Sequence, residues 1–404
     1  MNYKNKVFHV ENISTKKLSK KFKTPLYCYS YSKLKSNINN FKNHFKKINP
    51  LICFSVKSNS NNKILKEIKS FGLGADVVSK GEMMKALKAG IIAKKIVFSG
   101  VGKTYSELEY AINKKILLIN VESKSELLAI EKIAKLKKKK IDIGIRLNPN
   151  TDPKTLKQIS TGKEGDKFGV GENEFINLVK YSKISKFLKL KCLSVHIGSQ
   201  ILSPKPYGKM LKVIDRVINK TNYRFEFIDL GGGFGVSYGK KNKQFNFKIF
   251  NSLINNFLKK HRSKIIFEPG RSIIANTGIL ISKVIYIKKN KNKNFIILDA
   301  GMNDFMRMAL YDAKHKIIPA IKSGRIFYKK FEFVGPICES TDKFSSAKKF
   351  PFIKEKDLII ICDVGAYGMS LASNYNVRPL PAEILVKNSS TQIVRSRQKL
   401  SDLI

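Results

Sequence analysis

The chain has 404 residues, 43% of them hydrophobic, which is long and apolar enough for two domains with buried cores and argues against a disordered chain. No stretch approaches the roughly 20 consecutive apolar residues of a membrane-spanning helix, and the polar start Met1–Glu11 has no apolar secretory core, so a cytoplasmic protein is expected. The net charge of +48 raises nucleic-acid binding, but only ten of the 78 basic residues are Arg, and the lysines are dispersed among Asn and Ile, which share A- and T-rich codons.

In chain order, short apolar runs alternate with amphipathic stretches. Strands are expected at Leu51–Val56, Ile96–Ser99, Ile116–Val121, Ile141–Leu147, Leu190–Ile197, Phe225–Leu230 and Lys264–Glu268. Helices are expected at Ser60–Ser70, Ser79–Ala89, Thr104–Asn113, Ser123–Lys135 and Pro206–Asn219. Seven or eight such units in about 250 residues predict a closed (β/α)8, TIM-like barrel over residues 26–275. Beyond that the runs Ile279–Ile287, Phe295–Asp299, Arg325–Val334, Asp357–Val364 and Glu383–Val386 read as strands with few long helices between them, which predicts a mainly antiparallel β domain over 276–404. Residues 1–25, with a strand at Tyr3–Val10, are expected to join it. The dense run Lys135–Lys140 sits between a helix and a strand and reads as a solvated helix end. No specific nucleic-acid and no membrane partner is expected.

Cys28, Cys53, Cys192, Cys338 and Cys362 contain no CxxC pair, which excludes a zinc knuckle or a dense disulfide framework. No metal site is expected.

Barrels of this kind place their chemistry at the C-terminal strand ends. The first expected strand runs into Lys57, where a lysine at the barrel mouth, against apolar walls, can serve as a Schiff-base nucleophile. Most lysines here are solvated, so position alone says little. Gly231–Gly235 follows a strand and lets backbone N–H groups approach a phosphate, although an isolated glycine run is more often a tight turn. His196 ends another strand; taken alone it reads as a partly buried histidine.

Taken together, Phe54-Ser55-Val56-Lys57-Ser58-Asn59, Gly74-Ala75-Asp76-Val77-Val78-Ser79, His196-Ile197-Gly198-Ser199-Gln200, Gly231-Gly232-Gly233-Phe234-Gly235 and Glu268-Pro269-Gly270-Arg271 resemble the alanine-racemase-like, fold-type III pyridoxal-phosphate enzymes in their decarboxylase branch. The C-terminal motifs Asp299–Asp304 with Arg307 and Ala309–Asp312, Gly335–Ser340, Gly365–Met369 and Ser373–Asn376 extend the resemblance over nearly the whole chain, to the diaminopimelate decarboxylase family.

That resemblance implies pyridoxal 5'-phosphate on Lys57, with cofactor contacts from His196, Ser199, Gly235, Glu268, Pro269, Gly270, Arg271 and Tyr367. Glu268 would face the pyridine nitrogen and make the ring an electron sink; a racemase of this fold typically places Arg there. The implied substrate is meso-2,6-diaminopimelate and the product L-lysine. Arg271, Arg307 and Tyr311 would take the distal carboxylate, for which a guanidinium fork is suited. Glu339 would take the distal ammonium, Tyr367 would touch cofactor and substrate, and Cys338 would protonate the α-carbon, since a thiol with a pKa of about 8.5 can act as an acid at neutral pH. The family further implies a homodimer with shared active sites.

The chain departs from the family pattern at Ser55 and Ser58, where Ala is common, at Lys80, where Gly is usual, and over Thr155–Ile159, which lacks an aromatic-histidine pair. Alternative readings are a related basic amino-acid or carboxynorspermidine decarboxylase and a noncatalytic pyridoxal-phosphate-binding protein. The second domain with Cys338 and Arg307 counts against the latter.

Overall fold

The structure, a computed structural model, describes residues 1–238, 245–328 and 330–404. The described chain forms two compact units, one built from Asn39–Ser237 with the stretch ending at Ser272, the other from Met1–Ile38, Tyr238 and Ile273–Ile404.

In the first unit eight parallel strands close into a barrel: Leu51–Ser55, Gly74–Val77, Ile96–Phe98, Leu118–Val121, Ile141–Arg146, Leu188–Ser194, Phe227–Asp229 and Lys264–Phe267. Closure comes from the eighth strand pairing with the first, Ile266 opposite Leu51 and Phe267 opposite Ile52. Strands covered on both faces need no polar alternation, and Gly74–Val77, Ile96–Phe98 and Leu118–Val121 are buried throughout. Cys53, Val97, Leu118, Cys192, Phe227 and Ile266, drawn from six strands, pack into one interior cluster.

Helix starts are written locally. Thr104 and Glu107 form a reciprocal capping box ahead of Tyr105–Lys114, and Ser123 caps Lys124–Leu136, whose Leu127, Ile130, Ile133 and Ala134 repeat at helical spacing and are buried. The barrel sequence is therefore locally consistent with its fold. The barrel's second strand, Gly74–Val77, lies within the Gly-Ala-Asp-Val motif, where no strand was expected. Leu188–Ser194 starts and ends earlier than Leu190–Ile197, because residues 195–198 turn into the loop that carries His196 and Ser199.

The second unit holds a nine-stranded mixed sheet organised on the 12-residue strand Gly278–Lys289, which pairs with Leu26–Ser30, Leu358–Cys362 and Asn294–Leu298, in each case antiparallel. Two neighbours are parallel: Ala382–Lys387 with Leu26–Ser30, and Phe331–Val334 with Asn294–Leu298. The expectation that residues from 26 onward belong to the barrel is corrected here. Leu26–Ser30 is buried at every residue because it is an inner strand of this sheet, between Gly278–Lys289 and Ala382–Lys387. The expected strand Arg325–Val334 divides into Ile326–Phe327 and Phe331–Val334, and its Lys329 lies outside the described residues. Tyr3–Val10 is not one strand. Asn2–Lys4, Val7–Val10 and Ile13–Ser14 make a small antiparallel sheet, and Phe8, Val10 and Leu18 pack in the same core as Ile279, Ile281, Ile360 and Ile384.

Candidate active site

The first barrel strand ends in a single 3-10 turn, Val56–Ser58, which presents Lys57 at the C-terminal mouth with its side chain 36% exposed. Its Nζ lies 3.0 Å from Oδ2 of the fully buried Asp76, on the second strand. The apolar wall expected around Lys57 is thus, on this side, a carboxylate. Ser55 explains one departure from the family pattern: its Oγ lies 2.7 Å from Asp76 Oδ2 and 3.1 Å from the Glu268 carbonyl, so a hydroxyl stitches the first, second and eighth strands. Ser58 Oγ donates to the Ser55 carbonyl at 2.7 Å and closes the turn.

Glu268 follows the eighth strand and is 5% exposed. Its Oε1 has no hydrogen-bond partner in the protein, a costly condition for a buried polar atom. Burial above all, then the charge of Asp229, pushes its carboxyl well above the usual carboxylate range.

The glycine loop is shaped by close approach. A Cβ on Gly232 would stand 2.0 Å from the Glu268 carbonyl oxygen, and one on Gly233 2.2 Å from the Gly198 carbonyl oxygen, while Gly231 and Gly233 have φ of +64° and +89°. From outside, Tyr207 Oη donates to the Gly232 carbonyl at 2.6 Å and its ring stacks on Phe234 at 5.6 Å. Gly235 runs against Ile201, and Gly270 against Ser55 and Ser58, each with no room for a Cβ. Beside this loop Arg271, 7% exposed, donates from Nη2 to Ser199 Oγ at 3.0 Å. The sequence reading put Arg271 on both cofactor and substrate; the structure brings it to the hydroxyl that the family resemblance gives to the phosphate.

His196 accepts from the Gly232 N–H at Nδ1, 3.1 Å away, so its proton is assigned to Nε2. Its basicity is driven well below that of a free imidazole by burial, then by the nearby Lys57 and Arg146 charges. A neutral flat ring therefore stands at the mouth.

Sequence reasoning missed Arg146, Glu122, Asn120 and Asp229, and passed over the role of Asp76. Arg146 donates to Glu122 Oε1 at 2.8 Å and to the His196 carbonyl at 3.4 Å, and lies 4.9 Å from the Phe168 ring centroid. Glu122 also accepts from the Gly100 and Gly169 N–H groups. All five sit within one residue of a C-terminal strand end, the same signal that singled out Lys57.

In the second unit Arg307 opens the short helix Arg307–Tyr311 and is 5% exposed. Its Nη1 is 2.8 Å from His315 Nε2, and His315 Nδ1 is 2.8 Å from the Cys362 carbonyl. A carbonyl can only accept, so Nδ1 carries the proton and Nε2 receives the guanidinium. Tyr311 closes that helix, partly buried. Cys338 is exposed, with its N–H on Asn376 Oδ1 at 3.2 Å. Glu339 beside it accepts from Tyr375 Oη at 2.6 Å and Thr341 Oγ1 at 3.0 Å, bonds that hold its carboxyl below the usual range. Asp342 spans the two loops, accepting the Met302 N–H on Oδ1 and the Ile337 N–H on Oδ2, both at 2.7 Å. Tyr367 is half-buried at φ +56°. Among the described residues no cluster of His, Cys, Asp or Glu is arranged to hold a metal, and no helix is long and apolar enough to cross a membrane.

A parallel barrel whose mouth carries a lysine, a buried carboxyl and a glycine cradle defines a barrel enzyme of the pyridoxal-phosphate class. Residues 31–275 match the family model described as the pyridoxal-binding domain of pyridoxal-dependent decarboxylases. The diaminopimelate decarboxylase of Aquifex aeolicus is 39% identical over 100% of this chain and 96% of its own. The crystal structure of the Helicobacter pylori diaminopimelate decarboxylase complexed with L-lysine superposes with a TM-score of 0.92 at 43% identity, covering 96% of this chain and 98% of that one. The M. jannaschii enzyme in co-complex with L-lysine gives 0.94 at 33% identity, over 100% and 96%. The chain belongs to the pyridoxal-dependent decarboxylases, in the diaminopimelate decarboxylase family.

The residues present fit the cofactor. Glu268 Oε1 is a buried acceptor lacking a protein donor, the glycine loop leaves no side chain at its turn, and a hydroxyl and a guanidinium stand together at Ser199 and Arg271. The cofactor is pyridoxal phosphate.

Proposed function

We propose that this protein decarboxylates meso-2,6-diaminopimelate to L-lysine and carbon dioxide, the reaction named by its relatives. The observation that carries the reading is the pairing of Lys57 with a buried carboxyl, Glu268, at the mouth ends of the first and eighth strands, which are hydrogen-bonded neighbours.

Lys57 would hold the cofactor, and before it binds Asp76 fixes the Lys57 ammonium. Ser199, Arg271, Gly235 and the Pro269-Gly270 turn would hold the phosphate end, His196 would offer its ring to the cofactor ring, and Glu268 would serve the ring nitrogen. Bound pyridoxal phosphate supplies an electron sink that accepts the pair left when the bond between the α-carbon and the carboxylate breaks. Glu268, with neighbouring Asp229, governs the charge at the ring nitrogen. Cys338 gives a proton from Sγ to the α-carbon, so that hydrogen replaces the departing carboxylate. Arg307 and Tyr311 bind the distal carboxylate and Glu339 the distal ammonium, with Tyr367 contributing to both cofactor and substrate. Removing carboxylate and ammonium from water is offset only if both find charged partners.

The assembly we propose is a homodimer in which the Cys338-Glu339 loop of one subunit serves the barrel mouth of the other. We place the protein in the cytoplasm, a reading supported by five unpaired cysteines. Incubation of the pure protein with meso-diaminopimelate and pyridoxal phosphate, with L-lysine and carbon dioxide measured and ornithine and arginine as competing substrates, tests the function. Failure to form lysine by protein that has taken up the cofactor would overturn it, and faster turnover of ornithine would replace it with a basic amino-acid decarboxylase.

A further inference from the structure

Glu268 and Asp229 are two buried carboxyls at the mouth ends of adjacent barrel strands, near enough that each perturbs the other's titration. Two facing carboxylates out of water have no donor between them and repel, so the pair favours a proton on one. Asp229 has the donors that favour its anion: Gly231 N–H on Oδ1 at 2.9 Å, and Asn120 Nδ2 and Ser194 Oγ on Oδ2 at 3.2 and 3.3 Å. Glu268 has no such set, and Oε1 is unpartnered. The two are held in register through one residue, since the Gly231 N–H goes to Asp229 while the Gly231 carbonyl accepts the Glu268 N–H at 2.9 Å.

We propose that Asp229 is a positioning residue for the reaction: it keeps a proton on Glu268 by holding the negative charge of the pair itself. The other groups facing this pair are Asp76 and Lys57 from the first two strand ends, and the thiols of Cys53 and Cys192 from the interior. Burial and the Asp229 and Asp76 charges all favour the neutral form of Glu268, with Lys57 opposing. Because that proton serves Asp229, the open Oε1 of Glu268 is an acceptor for an N–H on a ring nitrogen that meets it, while Asp229 keeps the compensating charge. The inference rests on the reading of Glu268 as the residue facing the cofactor nitrogen.

The test is made on the cofactor-free protein. Infrared difference spectra between wild type and Glu268→Gln at neutral pH are expected to show the C=O stretch of a neutral carboxylic acid that the variant lacks. In Asp229→Asn the titration of that band is expected to move down by about one pH unit or more. Asn120 can turn its amide to meet the new side chain, since its Oδ1 has no partner. An unchanged band in Glu268→Gln, or an unchanged titration in Asp229→Asn, overturns the proposal. Should Asp229→Asn fail to fold, Glu268→Gln decides, because its amide can donate to Asp229 as the protonated acid does. Wild-type thermal stability is then expected to fall as pH rises through the Glu268 titration and that of Glu268→Gln to lack this fall; identical profiles overturn the proposal. Lysine formation by the wild type separately decides the function, so the two failures are distinguishable.

Discussion

Lys57 Nζ stands 3.0 Å from Asp76 Oδ2, an ion pair that joins the mouth ends of the first and second barrel strands. Lys57→Ala is expected to abolish turnover together with the visible absorbance of bound cofactor; a variant that keeps both would refute the assignment. Asp76→Asn keeps the lysine but removes the charge that fixes it, and should lower kcat by about 10²-fold, the scale of a small misplacement. Steady-state kinetics beside cofactor absorbance separates the two effects.

Cys338 is exposed, so its thiol has no packing role to lose. Cys338→Ala should lower kcat by roughly 10²- to 10⁴-fold, the usual range for a general acid, with cofactor occupancy preserved. Parallel loss of occupancy and rate would mark the cysteine as structural.

Gly232 has no room for a side chain, because its Cβ would meet the Glu268 carbonyl at 2.0 Å. Gly232→Ala should cost roughly 1–3 kcal/mol of stability and weaken cofactor binding as the loop shifts. Gly324, where a Cβ meets nothing within 4 Å, is the control. Equal melting temperatures for the two Ala variants would contradict the close-approach argument.

Asp304 is 3% exposed, and burial raises its carboxyl to about 7. An unfolded aspartate titrates at about 3.9, so the folded state holds this proton more tightly. Its contribution is therefore most favourable below about pH 4 and is lost as pH rises toward 7. Asp304→Asn removes this dependence, and its melting temperature relative to wild type should climb across that window. A difference that stays flat from pH 4 to 7.5 would show that Asp304 is ionised throughout.

Much of the site was legible because the chemistry of this fold sits where strands end. Lys57, His196 and Glu268 each directly follow an apolar run or end one, and the glycines announce a turn. Asp76, Glu122, Arg146 and Asp229 obey the same rule. They were overlooked because a charged residue beside an apolar run reads equally well as a solvated strand end until the barrel closes. The barrel boundary at residue 26 failed for a related reason. The five-residue run Leu26–Ser30 fits a barrel strand and an inner strand of a mixed sheet alike, and its partners Gly278–Lys289 and Ala382–Lys387 lie about 250 and 355 residues further along the chain.

By itself the sequence determined the barrel, the family and the cofactor, since these rest on local periodicity, helix caps and short motifs whose meaning does not depend on distant residues. Only the tertiary structure decided which carboxyl meets which. Asp76 reaches Lys57, Asp229 stands beside Glu268, and Ser55 ties three strands, because closing the sheet brings residues up to 213 positions apart to one desolvated mouth. There, water no longer separates their charges, and a proton must settle between acids that in an open chain would each be ionised.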